Sequence, residues 1–315
     1  MRKQTEQVLT EIKKAVVGKD EVLSKVLMSI LASGHILLED VPGVGKTTLA
    51  LAFARAMDLE TKRVQFTSDT VPSDVIGASM PDKATGEFLY RPGAIMTNIL
   101  LADEINRTSS KTQSALLEAM EENSVTVDGI THPLPAPFIV LATQNPYGSA
   151  GTLMLPDSQL DRFIIRISMG YPDFDSQVNI LQDRARTNPL NTINRIMTRG
   201  MLTTAIAQVN NIHTEKVIYE YITALAEATR THPLVSVGVS PRGALALGRI
   251  VRAKAYLSRR DYVIPEDVAA MASDVFGHRL MLNSKARFNE MDAYKIVDEI
   301  LTCVKMPVLR EFKNA

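Results

Sequence analysis

The chain has 315 residues, of which 45% are hydrophobic and 22% charged, enough for one large or two smaller domains with a buried core. Its 35 Lys and Arg balance its 35 Asp and Glu, so the overall charge does not support a general nucleic-acid-binding or anionic-membrane surface. The single cysteine, Cys303, excludes an intramolecular disulfide and fits a reducing compartment.

The sequence contains no pattern typical of a targeting or membrane segment. Residues 1–7 lack the apolar core of a signal peptide. No apolar run approaches the roughly 20 residues that span a bilayer. We therefore expect a soluble, cytoplasmic protein.

Predicted helices and strands alternate over the first half of the chain. Helical spacing in residues 4–33 precedes this alternation, which predicts an α/β fold with a parallel, doubly wound sheet. In such a sheet, functional groups gather at the carboxyl ends of the strands. The predicted strands lie at about 35–39, 63–67, 98–102, 138–143 and 163–167, with helices notably at 46–57 and 109–122.

The first predicted strand runs into a glycine-rich loop that is typical of a phosphate-binding site. Gly43 and Gly45 allow backbone N–H groups to surround a phosphate without a Cβ clash. Lys46 is expected to reach the β- and γ-phosphates of ATP, and the Thr47 hydroxyl to bind Mg²⁺. The predicted nucleotide-binding residues of this loop are Pro42, Gly43, Val44, Gly45, Lys46, Thr47 and Thr48.

Asp40 departs from the usual pattern of this loop, which begins with Gly. A carboxylate at this position adds a negative charge near the phosphates and would weaken ATP binding. This departure leaves a second interpretation open, a nucleotide-gated binding scaffold with little turnover.

A second motif places two carboxylates at the end of a short apolar strand, in residues 98–104. Asp103 is positioned to bind the Mg²⁺ shell, and Glu104 to orient and deprotonate the attacking water. By itself the pattern also fits a strand followed by an acidic helix start. Together with the glycine-rich loop, it favours a site that hydrolyses a nucleoside triphosphate.

Two insertions interrupt the alternation. Residues 68–97 contain two turn signals. Within residues 124–136, alternating valines before Asp128-Gly129 predict a hairpin.

The pattern becomes mostly helical after residue 172. We therefore predict a core domain over residues 1–172 and an α-helical lid domain over residues 173–315. The predicted lid helices lie at about 175–186, 201–210, 214–231, 241–258 and 265–274.

With these motifs in place, the chain resembles the AAA+ ATPases, and specifically the MoxR family. The resemblance extends over nearly all of residues 6–311. The segments that carry it include residues 17–18, 37–47, 66–77, 101–107, 113–122, 142–146, 160–163 and 240–242.

The resemblance implies roles for residues that the motifs alone do not assign. Asn145 matches sensor 1, which senses the γ-phosphate and positions water. Arg162 matches the arginine finger, which reaches the nucleotide of a neighbouring subunit, and Arg242 matches sensor 2 in the lid. Val17 and Gly18 match the segment that packs near the adenine.

The resemblance also implies how the protein works. The segment 68–97 corresponds to the helix-2 insert and 124–136 to the pre-sensor-1 hairpin. The expected protein is a Mg²⁺-dependent ATPase that forms a homo-oligomer, a hexameric ring, and remodels or matures a partner protein complex. A partner with a von Willebrand factor A domain is implied, although nothing in the chain names the client.

Each arginine in this scheme has an alternative interpretation. Arg162 would otherwise form a surface ion pair with Asp161 or Asp157. Arg242 would pair with a carboxylate of the other domain, and Arg107 either contacts a neighbouring subunit or braces its own helix.

Other site classes have little support. Many relatives carry an acidic stretch where this chain has the uncharged residues 147–152, so a contact made by such an acid is not expected. The five histidines show no metal-ligand spacing, and no serine-hydrolase motif is present. Basic residues at 249–260 are interpreted as a solvated face or subunit contact, so a nucleic-acid motor is the least supported function.

Overall fold

The computed structural model describes residues 1–41, 43–83, 86–145, 155–184 and 188–308. Its first half contains α1 (Arg2–Ile12), α2 (Asp20–Leu31), β1 (His35–Glu39), α3 (Lys46–Ala56), β2 (Thr61–Gln65), α4 (Pro72–Ile76), β3 (Gly77–Pro81), β4 (Phe88–Pro92), β5 (Ile99–Asp103), α5 (Ser110–Glu122), β6 (Ser124–Val127), β7 (Ile130–Pro133), β8 (Ile139–Gln144), α6 (Asp157–Leu160) and β9 (Phe163–Ile167). The remainder contains α7 (Phe174–Arg184), α8 (Arg199–Asn210), α9 (Lys216–Thr231), β10 (Val235–Val237), α10 (Pro241–Leu257), α11 (Pro265–Phe276), β11 (Met281–Leu282), α12 (Ser284–Phe288) and α13 (Ala293–Cys303).

Five parallel strands form the central sheet, in the order β2-β5-β8-β1-β9. The prediction of a parallel α/β sheet is confirmed. The predicted strand at 63–67 is displaced, because β2 occupies residues 61–65. The register pairs Gln65 with Asp103, and Leu38 with Thr143, so the carboxyl ends of these strands lie along one edge of the sheet.

Helices cover both faces of this sheet, which explains why its central strands are apolar throughout. Successive residues of β5 alternate between the two faces: Ile99 and Leu101 belong to one hydrophobic cluster, Leu100 and Ala102 to the other. All five residues of β5 and all six of β8 are buried. A strand buried on both sides has no polar face, and its sequence therefore reads as a continuous apolar run.

Both predicted insertions fold as compact additions to the core. Strands β3 and β4 pair as an antiparallel hairpin after the short helix α4, and β6 pairs with β7 as a second hairpin. The rings of Tyr90 and His132 stack with centroids 3.9 Å apart, which joins the two hairpins.

Helices dominate the chain after β9, as predicted. Helix α10 packs against α8, α9 and α11, and also against α1 and α2 from the opposite end of the chain. The α-helical lid is therefore confirmed as an element of the fold, while a domain boundary near residue 172 stays a prediction. Within the described ranges, no helix is long and apolar enough to cross a membrane.

Candidate active site

The glycine-rich loop lies between β1 and α3 at the edge where the strands end. Gly43 has φ +87° and Gly45 has φ +101°, left-handed conformations that favour glycine. Helix α3 begins at Lys46, directly after Gly45. The loop therefore presents the amino end of a helix, which favours a bound anion.

Lys46 belongs to the same loop and is partly buried. Its Nζ donates to the carbonyl oxygen of Asp40 at 2.9 Å and to that of Val41 at 3.3 Å. Burial lowers the pKa of the Lys46 ammonium, whereas the carboxylates of Asp40, Asp103 and Glu104 oppose this effect. The ammonium thus lies in the field of three carboxylates.

The Asp40 carboxylate is buried, and both of its oxygens accept hydrogen bonds within the protein. One oxygen accepts from Ser168 Oγ at 2.8 Å and from Gly170 N at 3.0 Å, and the other accepts from Met169 N at 2.5 Å. These contacts fix the chain just after β9. These contacts give Asp40 a structural role in place of the usual glycine. They weaken the basis for the scaffold interpretation, which assumed that the carboxylate acts on the phosphates.

Asp103 ends β5 and lies in the pocket next to the loop. Its Oδ2 accepts from Arg63 Nε at 2.6 Å, and its Oδ1 accepts from Thr143 Oγ1 at 3.4 Å. The side chain of Asp103 is only 9% exposed. A buried carboxylate of this kind requires a neighbouring cation or hydrogen-bond donors.

Glu104 turns toward the same pocket through an uncommon backbone conformation. Its φ of +57° lies in the left-handed region, where a residue with a side chain is strained. Its Oε2 accepts from Gln65 Nε2 at 2.9 Å and from Arg107 Nη1 at 2.7 Å, and its backbone N–H donates to Thr143 Oγ1 at 2.9 Å. Arg107 thus contacts the predicted base of its own chain.

A pocket of about 300 Å³ brings most of these groups together. Of the predicted residues, the described lining contains Gly43, Gly45, Lys46, Thr47, Thr48, Asp103, Glu104 and Asn145. Asp40 also lines it. Val17, Gly18 and Val44 are not among the described residues that line it, and Pro42 lies outside the described residues, as does the loop 147–152.

Sequence reasoning missed three polar residues of this pocket: Arg63, Gln65 and Thr143. Arg63 and Gln65 alternate along β2, which the sequence pattern placed two residues too late. Thr143 lies within the buried strand β8, whose apolar pattern does not single out its hydroxyl. One rule could have indicated them: polar residues at the carboxyl ends of neighbouring parallel strands lie close together.

Gly18 packs beside the start of α7. It has φ +71°, and a Cβ there would lie 2.2 Å from Ser176 Oγ. Lys19 donates to the carbonyl oxygen of Tyr171 at 2.8 Å. The predicted adenine segment is therefore held against the chain that follows β9, and its contact with a base stays a prediction.

Arg162 and Arg242 lie together in a second pocket, of about 200 Å³, between α5 and α10. Arg162 Nε donates to Glu121 Oε2 at 3.1 Å, and Arg242 pairs with the other carboxylate oxygen. These two cations lower the pKa of Glu121, chiefly through the hydrogen bond from Arg162. The carboxylate partner considered for Arg242 is thus Glu121, whereas Arg162 pairs with neither Asp161 nor Asp157 in the described part of the chain.

The donor set of the first pocket fits a magnesium ion. Thr47 offers a hydroxyl and Asp103 a carboxylate, both hard oxygen ligands. Among the described residues, no group of three or more His, Cys, Asp or Glu could hold a metal ion by protein ligands alone. A magnesium ion here would take its remaining ligands from water and phosphate, as is usual in nucleotide sites.

Comparison with known proteins agrees with this geometry. The family "ATPase family associated with various cellular activities (AAA)" matches residues 35–165, and the AAA lid domain family matches residues 227–300. A crystal structure of a protein proposed to be an ATPase, from Cytophaga hutchinsonii, superposes with a TM-score of 0.91 and 36% identity, covering 98% of this chain and 96% of that one.

Two sequence relatives extend over almost the whole chain. YeaC of Bacillus subtilis, an uncharacterised protein, is 48% identical over 95% of this chain and 93% of its own length. Chaperone MoxR1 of Mycobacterium tuberculosis is 38% identical over 96% of this chain and 82% of its own length. With the glycine-rich loop, the Asp103-Glu104 strand end and the helical lid in one fold, the chain belongs to the MoxR family of AAA+ ATPases.

Proposed function

We propose that this protein hydrolyses ATP in a Mg²⁺-dependent reaction and uses the energy to remodel or mature a partner protein complex. The observation that carries the proposal is the meeting of Lys46 and Thr47 with Asp103, Glu104 and Asn145 in one pocket. The sequence separates these residues by up to about a hundred positions, and the parallel sheet brings them to one edge.

Each side chain has a defined task in the proposed reaction. Lys46 and the loop N–H groups bind the phosphates, and Thr47 with Asp103 would hold Mg²⁺, which neutralises charge on the phosphate oxygens when bound. Glu104 orients the attacking water and accepts its proton. Asn145 positions this water or senses the γ-phosphate.

The two arginines of the second pocket support a shared active site. Arg162 and Arg242 do not line the pocket that contains Lys46, so we assign them to the nucleotide of an adjacent subunit. An arginine supplied in this way stabilises charge that develops in the transition state, an effect of about 10³-fold or more in related enzymes. A closed homo-oligomeric ring, which we propose to be hexameric, would complete every site.

The resemblance and the chaperone name of one relative support a partner protein as the target. We propose a partner with a von Willebrand factor A domain and a cytoplasmic setting. We propose no role for nucleic acid, and two arginines that follow α10 pair within the chain: Arg259 with Glu6, and Arg260 with Asp267.

Phosphate release from Mg·ATP, measured against protein concentration, tests the proposal. Specific activity should rise with concentration in the wild type and collapse in Arg162→Ala, because each site needs a second subunit. Glu104→Gln should lower the rate at least about 100-fold while ADP binding persists. Glu118→Gln, an exposed acid on α5, is the matched control. An unchanged rate in Glu104→Gln would refute the assigned base.

A further inference from the structure

Arg63 lies in the candidate active site, yet the proposed reaction gives it no task. It projects from β2, the edge strand of the sheet, and its side chain is 55% exposed. Its Nε donates to Asp103 Oδ2 at 2.6 Å, and one terminal nitrogen lies 3.4 Å from Gln65 Oε1. Arg63 therefore reaches from the solvent side of the pocket to a buried carboxylate.

Among the described cations near this pocket, Arg63 is the one whose side chain contacts the Asp103 carboxylate. Lys46, the other cation among the described residues that line the pocket, donates to backbone carbonyl oxygens. Arg107 pairs with Glu104 and not with Asp103. Of these three cations, only Arg63 forms a direct ion pair with the carboxylate that the proposed function assigns to the metal.

A guanidinium and a divalent cation cannot share this carboxylate without cost. Both are stabilised by the same negative charge, and they repel each other strongly at separations of a few ångströms. Binding of a metal near Asp103 must therefore weaken the Arg63–Asp103 ion pair. Conversely, an arginine that pairs with Asp103 lowers the free energy of the site without metal.

We propose that Arg63 is an internal competitor for the divalent cation at Asp103 and thereby sets the metal affinity of the site. The inference rests on the proposed function, because it takes Asp103 as a metal-binding residue. The competition would affect product release. Because Arg63 can pair again with Asp103 as Mg²⁺ leaves with ADP, the metal would dissociate more easily.

Binding of Mn²⁺ at saturating ADP, followed by electron paramagnetic resonance, tests the proposal directly. Arg63→Gln removes the competing charge, so the Kd for Mn²⁺ should fall about two- to fivefold, the range expected for a partly exposed ion pair. Arg63→Lys keeps the charge and should stay near the wild type. Lys62→Gln removes the same charge from the neighbouring position on the opposite face of β2, and should leave the Kd unchanged.

A thermal measurement separates competition from a folding defect. Arg63→Gln leaves the Asp103 carboxylate without its partner, so the variant should unfold at a lower temperature than the wild type in the absence of metal. Addition of Mg·ADP should then raise its unfolding temperature by more than that of the wild type, because tighter binding to the folded state gives greater stabilisation.

The outcomes distinguish this inference from the proposed function. An unchanged or higher Kd for Mn²⁺ in Arg63→Gln, with ADP binding that still depends on Lys46, would overturn the competition alone. A wild-type chain that binds no ADP and no Mn²⁺ would overturn both.

Discussion

Asp40 illustrates how a single departure from a motif acquires a structural role. The sequence suggested a negative charge directed at the phosphates. In the structure, the buried carboxylate accepts three hydrogen bonds from residues 168–170. Two of the donors are backbone N–H groups, so the side chain fixes the position of the loop relative to the end of β9.

Replacement of Asp40 by alanine should therefore destabilise the fold. The N–H groups of Met169 and Gly170 would lose their acceptor, and the free energy of unfolding should fall by about 2 to 3 kcal/mol. Urea denaturation measures this change, with Asp69→Ala on an exposed turn as the control. A variant as stable as the wild type would show that the three hydrogen bonds contribute little.

His35 predicts a dependence of stability on pH. Its Nδ1 accepts from Val140 N at 3.0 Å and its Nε2 donates to the Met120 carbonyl at 3.0 Å, so the ring is held neutral. Burial lowers the pKa of His35 to about 4. The unfolded state therefore takes up a proton first as pH falls, and folding loses stability from about pH 6.5 down to about pH 4.

The His35→Gln variant isolates this contribution. Between about pH 6.5 and pH 5, the free energy of unfolding of the wild type should fall more steeply, by up to about 1.4 kcal/mol per pH unit. Urea denaturation at several pH values measures both slopes. Equal slopes would mean that His35 does not carry the effect.

At the scale of residues, motif reasoning predicted which groups would act on phosphate and water. Lys46, Thr47, Asp103, Glu104 and Asn145 do line one pocket. Motif reasoning did not predict their partners in β2 and β8, because no local sequence pattern shows which strands are neighbours in the sheet. Arg63 contacts Asp103 only because β2 pairs with β5 in this register.

At the scale of elements, the two hairpins are joined through one aromatic contact. Tyr90 of β4 stacks on His132 of β7, and its hydroxyl donates to the Ile76 carbonyl oxygen at 2.7 Å. The Tyr90 ring thus ties the β3–β4 hairpin both to the end of α4 and to the β6–β7 hairpin.

Removal of this ring should loosen the β3–β4 hairpin selectively. In Tyr90→Ala, amide hydrogen exchange across residues 77–92 should be faster by about tenfold, whereas exchange in β5 and β8 should not change. Tyr90→Phe keeps the stack but loses the hydroxyl, and should show a smaller effect. Uniform acceleration over the whole chain would instead indicate global destabilisation.

The periodicity of the sequence predicts some helices and strands better than others. Central strands such as β5 are recognisable because burial on both faces excludes polar residues. Edge strand β2, Thr-Lys-Arg-Val-Gln, has only partly buried or exposed residues, and its position was predicted two residues late. No helix is predicted at the position of α13, although its residues Ile296, Val297 and Ile300 are buried in the same hydrophobic cluster as the other lid helices.

At the scale of the whole molecule, Glu121 connects the core to the lid. It ends α5 with Glu122, and it pairs with Arg162 before β9 and with Arg242 at the start of α10. For either arginine to reach the nucleotide of another subunit, its ion pair with Glu121 has to break.

Under the proposed shared active site, Glu121→Gln should therefore favour assembly of the subunits. With the ion pairs weakened, the concentration at which specific ATPase activity is half-maximal should fall about two- to fivefold. Phosphate release over a dilution series measures it, and Glu122→Gln, the neighbouring exposed acid, serves as control. A rise in that concentration would show that Glu121 instead supports assembly.

Helix α3 has a partner at each end. It begins at Lys46 in the pocket, and at its other end the Ala56 carbonyl oxygen accepts from the N–H groups of Ile196 and Met197, at 2.8 and 3.0 Å. Arg55 also donates to the Leu190 carbonyl oxygen at 2.5 Å. The eleven residues of α3 form a rod about 16 Å long, since each residue adds 1.5 Å. A displacement of the loop would therefore reach the segment that leads into α8 through this helix, by a route that does not include Arg242.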